Sequence, residues 1–174
     1  MAVLEIVKHP HEMLRRKALP VDVFDDNLHK LIDQMVETMR DAPGVGLAAN
    51  QVNIPQRVIV VEYGGEADEE TASDARPPKK LFTLVNPEIS RTSLETETAS
   101  EGCLSIPGLV GDVERSTSVT VKAQNKRGQP VKIKADGWLA RIFQHEIDHL
   151  NGVLFIDRAE KVYQLQEEDE AMRA

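Results

Sequence analysis

The sequence predicts an α+β domain in which short antiparallel strands surround a central helix that binds a metal ion. Two segments with the helical period of apolar residues flank a middle part that is rich in β-branched and alternating residues. The second helical segment also carries two histidines four residues apart, in QHEIDHL. With 174 residues and 41% hydrophobic residues, the chain has the size and composition of a single globular domain.

The first predicted helix spans 25–42. It is indicated by apolar residues that recur every three or four positions and form one stripe: Leu28, Leu31, Ile32, Met35 and Met39. Pro43 and Gly44 are typical of a helix end. The next stretch, GVGLAANQV, contains too much glycine and alanine for its periodicity to indicate either a helix or a strand.

Two strands are predicted over 57–63 and 81–89 from their content of β-branched and apolar residues, with Pro87 breaking the second one late. The residues between them, 64–80, are polar, mostly acidic and rich in residues that break helices and strands. We therefore expect 64–80 to form an exposed, mobile loop.

A β-hairpin is predicted over 118–135. Apolar and polar residues alternate in SVTVKAQ and again in QPVKIKA, and NKRG between them supplies the turn. A second helix follows over 138–150, with Asp136 as its candidate N-cap and Gly152 as its candidate stop. The last residues of the chain are acidic, and we expect them to fray.

The second helix contains the pattern H-E-x-x-H. At about 100° of rotation per residue, the side chains of His145, Glu146 and His149 fall on one face of the helix. Two imidazoles one turn apart can hold a divalent ion, and the glutamate then lies near a water on that ion. The alternative is a surface helix with two ordinary histidines. However, the neighbouring residues are largely apolar, and buried imidazoles need partners.

A catalytic site of this kind has three protein ligands and one open position, so a third ligand is needed. Position 155, where some H-E-x-x-H proteases have a third histidine, is Phe. Downstream candidates lie in a segment that looks unable to hold a ligand rigidly: Glu160, Glu167 and Glu168. The better candidate is Cys103, because Gly102 beside it lets the backbone approach a neighbour closely. The alternative for Cys103 is a small buried apolar residue.

Charge and targeting features exclude several classes of protein. The net charge of −8 argues against extensive binding of nucleic acid, although it leaves room for a small contact with RNA. We expect no membrane association, because no apolar run has the length of a signal peptide core or a membrane span. A single cysteine permits no internal disulfide, and we expect a cytoplasmic protein.

Three motifs in this order resemble one family. GVGLAANQ at 44–51, EGCLS at 101–105 and QHEIDH at 144–149, followed by NGVLFIDR, resemble the peptide deformylases. The resemblance implies a catalytic domain over 1–160 and leaves 161–174 as an acidic C-terminal tail. It implies metal-dependent hydrolysis of the N-formyl group from the N-terminal formyl-methionine of newly made polypeptides, with release of formate. The implied cofactor is Fe(II), for which Zn, Ni or Co can substitute.

The resemblance also implies roles for individual residues. Glu146 matches the general acid and base of the reaction. Gln51 and the backbone N–H of Leu104 match the donors of hydrogen bonds to the oxyanion. The metal ligands correspond to Cys103, His145 and His149.

Substrate binding is expected on both sides of the metal. Gly46 and its neighbours match the stretch that pairs with the substrate backbone as an added strand, and Gly102 permits a close approach. On the helical wheel, Trp138 and Ile142 point the way the metal ligands do. We expect four side chains to line the pocket for the methionine, with plain core packing as the alternative: Val45, Leu104, Trp138 and Ile142.

Asp148 lies away from Glu146 on the helical wheel. We expect it to support the site indirectly, paired with Arg115 and steadying the helix against the EGCLS segment. The implied partners are nascent formyl-methionyl polypeptides and, transiently, the ribosome. The short acidic tail offers no basic helix for docking on ribosomal RNA.

Two alternatives stay open at this point. A metallo-endopeptidase shares H-E-x-x-H but has a downstream third ligand, which this chain lacks. A structural metal site, or an inactive relative that acts as a binding module, needs no base such as Glu146 and usually has four protein ligands.

Overall fold

The structure is a computed structural model that describes residues 3–64, 78–164 and 172–173. Most of the predicted acidic loop, and the predicted tail beyond Gln164 apart from 172–173, lie outside these residues. The α-helices in this part of the chain are α1 (Asp26–Asp41), α2 (Gly137–Leu150) and α3 (Phe155–Arg158). None of the helices so described is long and apolar enough to cross a membrane.

The strands belong to two sheets. Their bounds are β1 (Gly46–Ala48), β2 (Val58–Tyr63), β3 (Lys80–Thr92), β4 (Thr96–Cys103), β5 (Ile106–Ser116), β6 (Ser118–Gln124), β7 (Pro130–Asp136), β8 (Lys161–Gln164) and β9 (Met172–Arg173). The first sheet has the order β1-β2-β3-β6-β7, and all its neighbouring strands are antiparallel. The second has the order β8-β5-β4-β9, in which only β4 and β9 run parallel. The predicted α+β class with antiparallel strands is confirmed.

Helix α1 covers one face of the five-stranded sheet. The Asp25 carboxylate accepts a hydrogen bond from the N–H of Leu28 and caps the helix. The predicted apolar stripe is buried and packs with strand residues Val58, Val60 and Val85. The helix begins one residue after the start of the predicted range, 25–42, and ends one residue before its end.

Helix α2 covers the opposite face of the same sheet, where it packs with Ile59, Val61 and their neighbours. It also contacts β5 of the second sheet. Asp136 is its N-cap residue, but the Asp136 carboxylate accepts from Ser118 Oγ at 2.7 Å instead of from a helix N–H. The helix ends at Leu150, and Gly152 follows with a left-handed φ of +75°. The two histidines of α2 thus lie on a helix in contact with both sheets.

The predicted hairpin is confirmed, because β6 and β7 pair along their whole length. Strand β3 differs from its prediction. It continues through Pro87, so the expected break there is wrong. The register shifts between Val85 and Glu88, where Asn86 has a φ of 51°, and this bulge accommodates a proline that has no N–H. The Asn86 side chain there hydrogen-bonds the backbone N–H and C=O of Val21, at 2.8 and 2.9 Å.

The sequence did not predict β4 and β5. In β4 only the last three residues are buried, and these include a glutamate and a glycine. Because no apolar alternation marks such a strand, its pattern is that of a polar loop. At the other end of this sheet, the first four residues of the predicted tail form β8 beside β5.

Candidate metal centre

The three predicted ligands come together in the structure. Cys103 is the last residue of β4, whereas His145 and His149 lie on α2. All three are buried, and their possible ligand atoms lie within 4.8 Å of one another. Cys103 Sγ is 3.4 Å from His149 Nε2. A thiolate and two imidazoles at these distances fit a divalent transition metal such as zinc or iron.

The His145 ring is oriented by Glu101. Its Nδ1 lies 2.9 Å from Glu101 Oε1, and because a carboxylate accepts, Nδ1 carries the proton. The lone pair is then on Nε2, which has no hydrogen-bond partner among the described residues although it is buried. A buried nitrogen without a partner is costly unless it binds an ion. This orphaned atom is the observation in the structure that fits a metal ligand best.

The ionisation of the two histidines differs. Burial alone would lower the pKa of His145, but the adjacent Cys103 side chain and the hydrogen bond with Glu101 outweigh it and raise that pKa well above its ordinary value. Burial, together with the charge of His145, lowers the pKa of His149 well below its ordinary value. The two rings therefore have unlike surroundings although they lie on one helix face.

Glu146 is the chemically unusual group beside the ligands. It is fully buried, and neither of its carboxylate oxygens has a hydrogen-bond partner among the described residues. Glu146 Oε1 is 4.0 Å from His149 Nε2. Burial raises the pKa of Glu146 to about 7, with the charge of His145 opposing that rise. A carboxylate with such a pKa can both take up and release a proton near neutral pH.

Strand β1 packs directly on Glu146. A Cβ atom at Gly46 would lie 2.5 Å from Glu146 Oε2 and 2.9 Å from its Cδ. Only glycine therefore leaves room for the carboxylate at this point. The stretch that the sequence left unassigned is β1 followed by a 3-10 helix, Ala49–Val52.

Gln51 lies on this 3-10 helix and faces the ligands. Its Oε1 accepts from the N–H of Ala48 at 3.0 Å. Its Nε2 donates to Ser105 Oγ at 3.1 Å and lies 3.6 Å from Cys103 Sγ. The amide is thereby oriented with its donor group towards the metal site. Ser105 was not singled out from the sequence, although it belongs to the EGCLS motif.

Sequence reasoning missed Glu101, the residue two positions before Cys103. Its carboxylate is fully buried and accepts hydrogen bonds from Arg115, Arg141 and His145. Burial would raise the pKa of Glu101, but the hydrogen bonds from Arg115 and His145 outweigh it and hold that pKa well below its ordinary value. Its place in EGCLS was the available signal, but a lone glutamate in a polar stretch does not show its partners.

Asp148 and Arg115 are in contact, as the sequence suggested. Arg115 Nη1 donates to Asp148 Oδ2 at 2.6 Å. Arg158 of α3 binds the same carboxylate through Nε and Nη2, at 2.6 and 3.0 Å. Arg115 therefore connects Asp148 to Glu101. The supporting role of this pair stays a prediction.

A cavity of about 420 Å³ opens beside Cys103. Gly102 and Leu104 line it, together with residues of the N-terminal segment and of β5. The other expected pocket residues lie elsewhere: Ile142 is fully buried in the core under α2, and Val45 and Trp138 pack against that core while partly exposed. Their role in binding methionine stays a prediction. A larger cavity of about 700 Å³ lies between α1, β3 and the turn after β6, with no metal ligand in its lining.

An α+β fold that places a Cys-His-His metal site beside a buried, unpaired glutamate defines a metal-binding hydrolase. Residues 3–164 match the family Polypeptide deformylase, and the chain belongs to this family. It is therefore an enzyme of the hydrolase class.

Individual relatives agree with this assignment. A peptide deformylase of Symbiobacterium thermophilum is 48% identical over 170 residues, which cover 98% of this chain and 73% of the relative. One of Natranaerobius thermophilus is 47% identical, over 96% of this chain and 99% of the relative. The crystal structure of peptide deformylase from Thermotoga maritima superposes with a TM-score of 0.81 at 43% identity, covering 92% of this chain and all of that one. A Met-Ala-Ser-bound peptide deformylase from Acinetobacter baumannii has a TM-score of 0.81 at 39% identity. The match covers 90% of this chain and 98% of that one.

Proposed function

We propose that this protein hydrolyses the N-formyl group from the N-terminal formyl-methionine of newly made polypeptides and releases formate, in a metal-dependent reaction. The observation that carries the proposal is Glu146, a buried and unpaired carboxylate beside a site with three protein ligands. A structural metal site has no use for such a base. The family supports the substrate class, because its members remove formyl groups from nascent chains.

The cofactor is Fe(II) in this proposal, with Zn, Ni or Co able to substitute. Cys103, His145 and His149 would hold it, since a thiolate and two imidazoles suit both iron and zinc. A divalent ion held there would lower the pKa of water and so make hydroxide available at neutral pH.

Glu146 acts as the general base and then as the general acid. It takes the proton of the attacking water on a carboxylate oxygen and passes it to the nitrogen of the departing amine. Burial raises the pKa of Glu146 above the ordinary value for a glutamate, which favours proton uptake and release near neutral pH. The absence of hydrogen bonds to its oxygens among the described residues keeps them available for water and amine.

Gln51 and the backbone N–H of Leu104 stabilise the oxyanion of the formyl group. The Gln51 amide is neutral and directs Nε2 towards Cys103, so it can donate without taking part in proton transfer. Leu104 directly follows the ligand Cys103 in the chain, which supports a role for its N–H at the same site.

The substrate backbone binds as an added strand along β1. This strand lies at the end of its sheet and, in the described part of the chain, pairs with no strand other than β2, which supports pairing of a substrate along its other edge. Gly46 and Gly102 let the peptide come close to the metal. Leu104 lines the cavity beside Cys103 and would hold the methionine side chain there, whereas the other expected residues, Val45, Trp138 and Ile142, lie in or against the core outside that lining. The Met-Ala-Ser bound to the Acinetobacter baumannii relative supports an N-terminal methionine as the recognised residue.

The enzyme acts in the cytoplasm on nascent polypeptides, because its substrates arise where translation takes place. Contact with the ribosome is transient, and neither a membrane nor extensive nucleic-acid binding is involved. We assign the catalytic domain to 1–160 and the acidic tail to 161–174, of which β8 and β9 pair with the second sheet. The net charge of −8 argues against extensive binding of RNA and leaves room only for a small, local contact.

The test is formate release from formyl-Met-Ala-Ser by protein prepared without oxygen and loaded with Fe(II). The parent should release formate, and Glu146→Ala should lower kcat by about 10²–10⁴-fold, the usual contribution of a general base. Glu146→Gln, which keeps the size of the side chain, is the matched control for packing and should be equally impaired. Metal content is measured for all three proteins. A parent that binds metal but releases no formate would refute the proposal.

A further inference from the structure

The carboxylate of Glu101 is surrounded by four N–H donors. Oε1 accepts from Arg115 Nη2 and His145 Nδ1, each at 2.9 Å. Oε2 accepts from Arg115 Nε at 2.9 Å and from Arg141 Nη1 at 2.6 Å. An ionised carboxylate has about four lone-pair sites, so this one is fully used. It can neither rotate nor change partners without losing a bond.

Arg141 contributes more than one bond to this arrangement. Its Nη1 also donates to the carbonyl of Val113 in β5 at 2.8 Å, and its Nη2 donates to the carbonyl of Glu97 in β4 at 2.6 Å. The side chain is buried. One guanidinium on α2 therefore binds the backbones of two neighbouring strands and the side chain of Glu101.

The positions of these residues along the chain are informative. Arg141 and His145 are four residues apart on α2, so their side chains leave the same face of the helix, one turn apart. Both bind Glu101. Glu101 in turn stands two residues before Cys103 on β4. The same carboxylate thus connects the helix that carries two metal ligands with the strand that carries the third.

We propose that Arg141 is a positioning residue: it holds β4 against α2 and thereby sets the distance from Cys103 to the two histidines. The inference deepens the proposed function and rests on it for the presence of the metal. Without Arg141, Glu101 keeps its contact with His145 but loses one of the two donors on Oε2. The strand carbonyls of Glu97 and Val113 also lose a donor from α2. The end of β4 is then held less firmly against the helix, by Arg115 and His145 alone, and the three ligand atoms converge less closely.

A purely structural role would give a different result. Arg141 would then matter only because its bonds stabilise the fold, as any buried polar side chain that joins α2 to a strand does. Gln144 is such a side chain on the same helix. Its amide binds the N–H and C=O of Ser116 in β5, at 3.1 and 2.9 Å. No contact joins Gln144 to Glu101 among the described hydrogen bonds, which makes it a matched control.

The experiment measures Co(II) affinity by competition with a chelator, and thermal stability of the metal-free protein, for the parent, Arg141→Met, Arg141→Lys and Gln144→Met. We expect Arg141→Met to lower Co(II) affinity by about 10–100-fold, the usual effect of losing an indirect support of a metal ligand. The visible absorption of bound Co(II) should change, because the thiolate moves. Gln144→Met should lower thermal stability while its Co(II) affinity stays within about twofold of the parent.

Arg141→Lys keeps the positive charge but cannot reach two carbonyls and a carboxylate together. The Co(II) affinity of Arg141→Lys should lie between those of the parent and Arg141→Met. If Arg141→Met fails to fold, Arg141→Lys provides the test. Affinity of Arg141→Lys equal to that of the parent, or an equal loss of affinity in Gln144→Met, would overturn the proposal. Because the readout is metal affinity, a failure here is distinct from a failure of deformylation, which the formate assay detects.

Discussion

The two regions that meet at the metal are built in different ways. Helix α2 provides His145, Glu146 and His149 within five consecutive residues, and helical geometry alone brings them to one face. Strand β4 provides only Cys103, at its last residue, and reaches α2 through the side chain of Glu101. The first region is organised locally, whereas the second depends on contacts between residues about forty positions apart.

The two regions should therefore respond differently to substitutions around their metal ligands. A ligand pair fixed by a helix survives as long as the helix forms, so changes around it should alter stability or proton transfer. A ligand fixed by tertiary contacts moves when those contacts change, so changes around β4 should alter metal affinity. Substitutions on each side can test this division.

The largest expected effect is that of Cys103→Ser, which removes the ligand of β4 and nearly preserves its size. We expect Co(II) affinity to fall by more than about 100-fold, because the loss of an indirect support alone costs about 10–100-fold. Competition with a chelator measures it. Affinity within tenfold of the parent would mean that α2 alone provides the site. Metal affinity would then not depend on β4, contrary to the division between the two regions.

Gly46→Ala should act on the base and not on the ligands. The added Cβ would lie 2.5 Å from Glu146 Oε2, and its three nearest atoms all belong to Glu146. Because Gly46 is held in its strand by pairing with Val61, the carboxylate must move. A shift of about 1 Å in a catalytic group can lower kcat by about 10²-fold, and we expect a loss of this size from Gly46→Ala.

Metal affinity of Gly46→Ala should stay unchanged, which sharpens the contrast with Cys103→Ser. The control is the same substitution in a Glu146→Ala background. There the clash is absent, so Gly46→Ala should add almost nothing to the loss of activity. A full additional loss in that background would show that residue 46 acts by another route.

Gly152→Ala tests the region that follows α2. Gly152 has a φ of +75°, and a Cβ there would lie 2.5 Å from the backbone oxygen of Arg15. A left-handed residue other than glycine costs about 1–3 kcal/mol, and the clash adds to it. Urea denaturation should show at least this loss in the free energy of unfolding. The Co(II) affinity of the folded protein should be unchanged, since the two histidines stay on one helix.

The smallest expected effect is that of Asp157→Asn, in the contact between the N-terminal segment and α3. A hydrogen bond with Arg15 lowers the pKa of Asp157 from its ordinary value of 3.8. A lowered pKa stabilises the fold at pH values above the ordinary one, and this contribution is lost as the pH falls through the lowered value. The pair is substantially exposed, so it contributes at most about 1 kcal/mol.

Urea denaturation of Asp157→Asn should therefore show a small, constant loss of stability between about pH 5 and pH 8. The difference from the parent should shrink as the pH falls from about 4, where Asp157 becomes protonated in the unfolded chain, through the lowered pKa of the folded state. Asparagine can still accept the hydrogen bond that Leu154 N–H donates to this side chain at 2.9 Å, so the comparison keeps this bond and removes the ion pair with Arg15. A difference that grows at acid pH would contradict this account.

The sequence predicted the locally organised parts of the molecule well. The stripe of α1, the β6–β7 hairpin and the metal-binding face of α2 are periodic patterns, and periodicity reports which residues share a face. Strand β4 escaped prediction because its buried residues include Glu101, whose burial is compensated only by partners on β5 and α2. No pattern along a chain identifies partners so distant.

Within the site, too, residues close together in the sequence were easier to predict than partners far apart in the chain. The histidines and Glu146 followed from one short motif, whereas Cys103 was reached by excluding other ligands and by resemblance to a family. The pairing of Asp148 with Arg115 could be predicted from the sequence. The contact of Arg141 with Glu101 could not, although Arg141 lies on α2 as Asp148 does. Its long side chain is the kind expected at a surface, and only the structure places it in a buried cluster.

Strand β9 has a consequence for handling the protein. Met172 and Arg173 pair with Glu101 and Gly102, the two residues that precede Cys103. Any polypeptide joined after Arg173, such as an affinity tag, therefore begins at the edge of the strand that carries a metal ligand. A polyhistidine tag in that position would add imidazoles near this strand, so metal affinity should be measured on protein without such a tag.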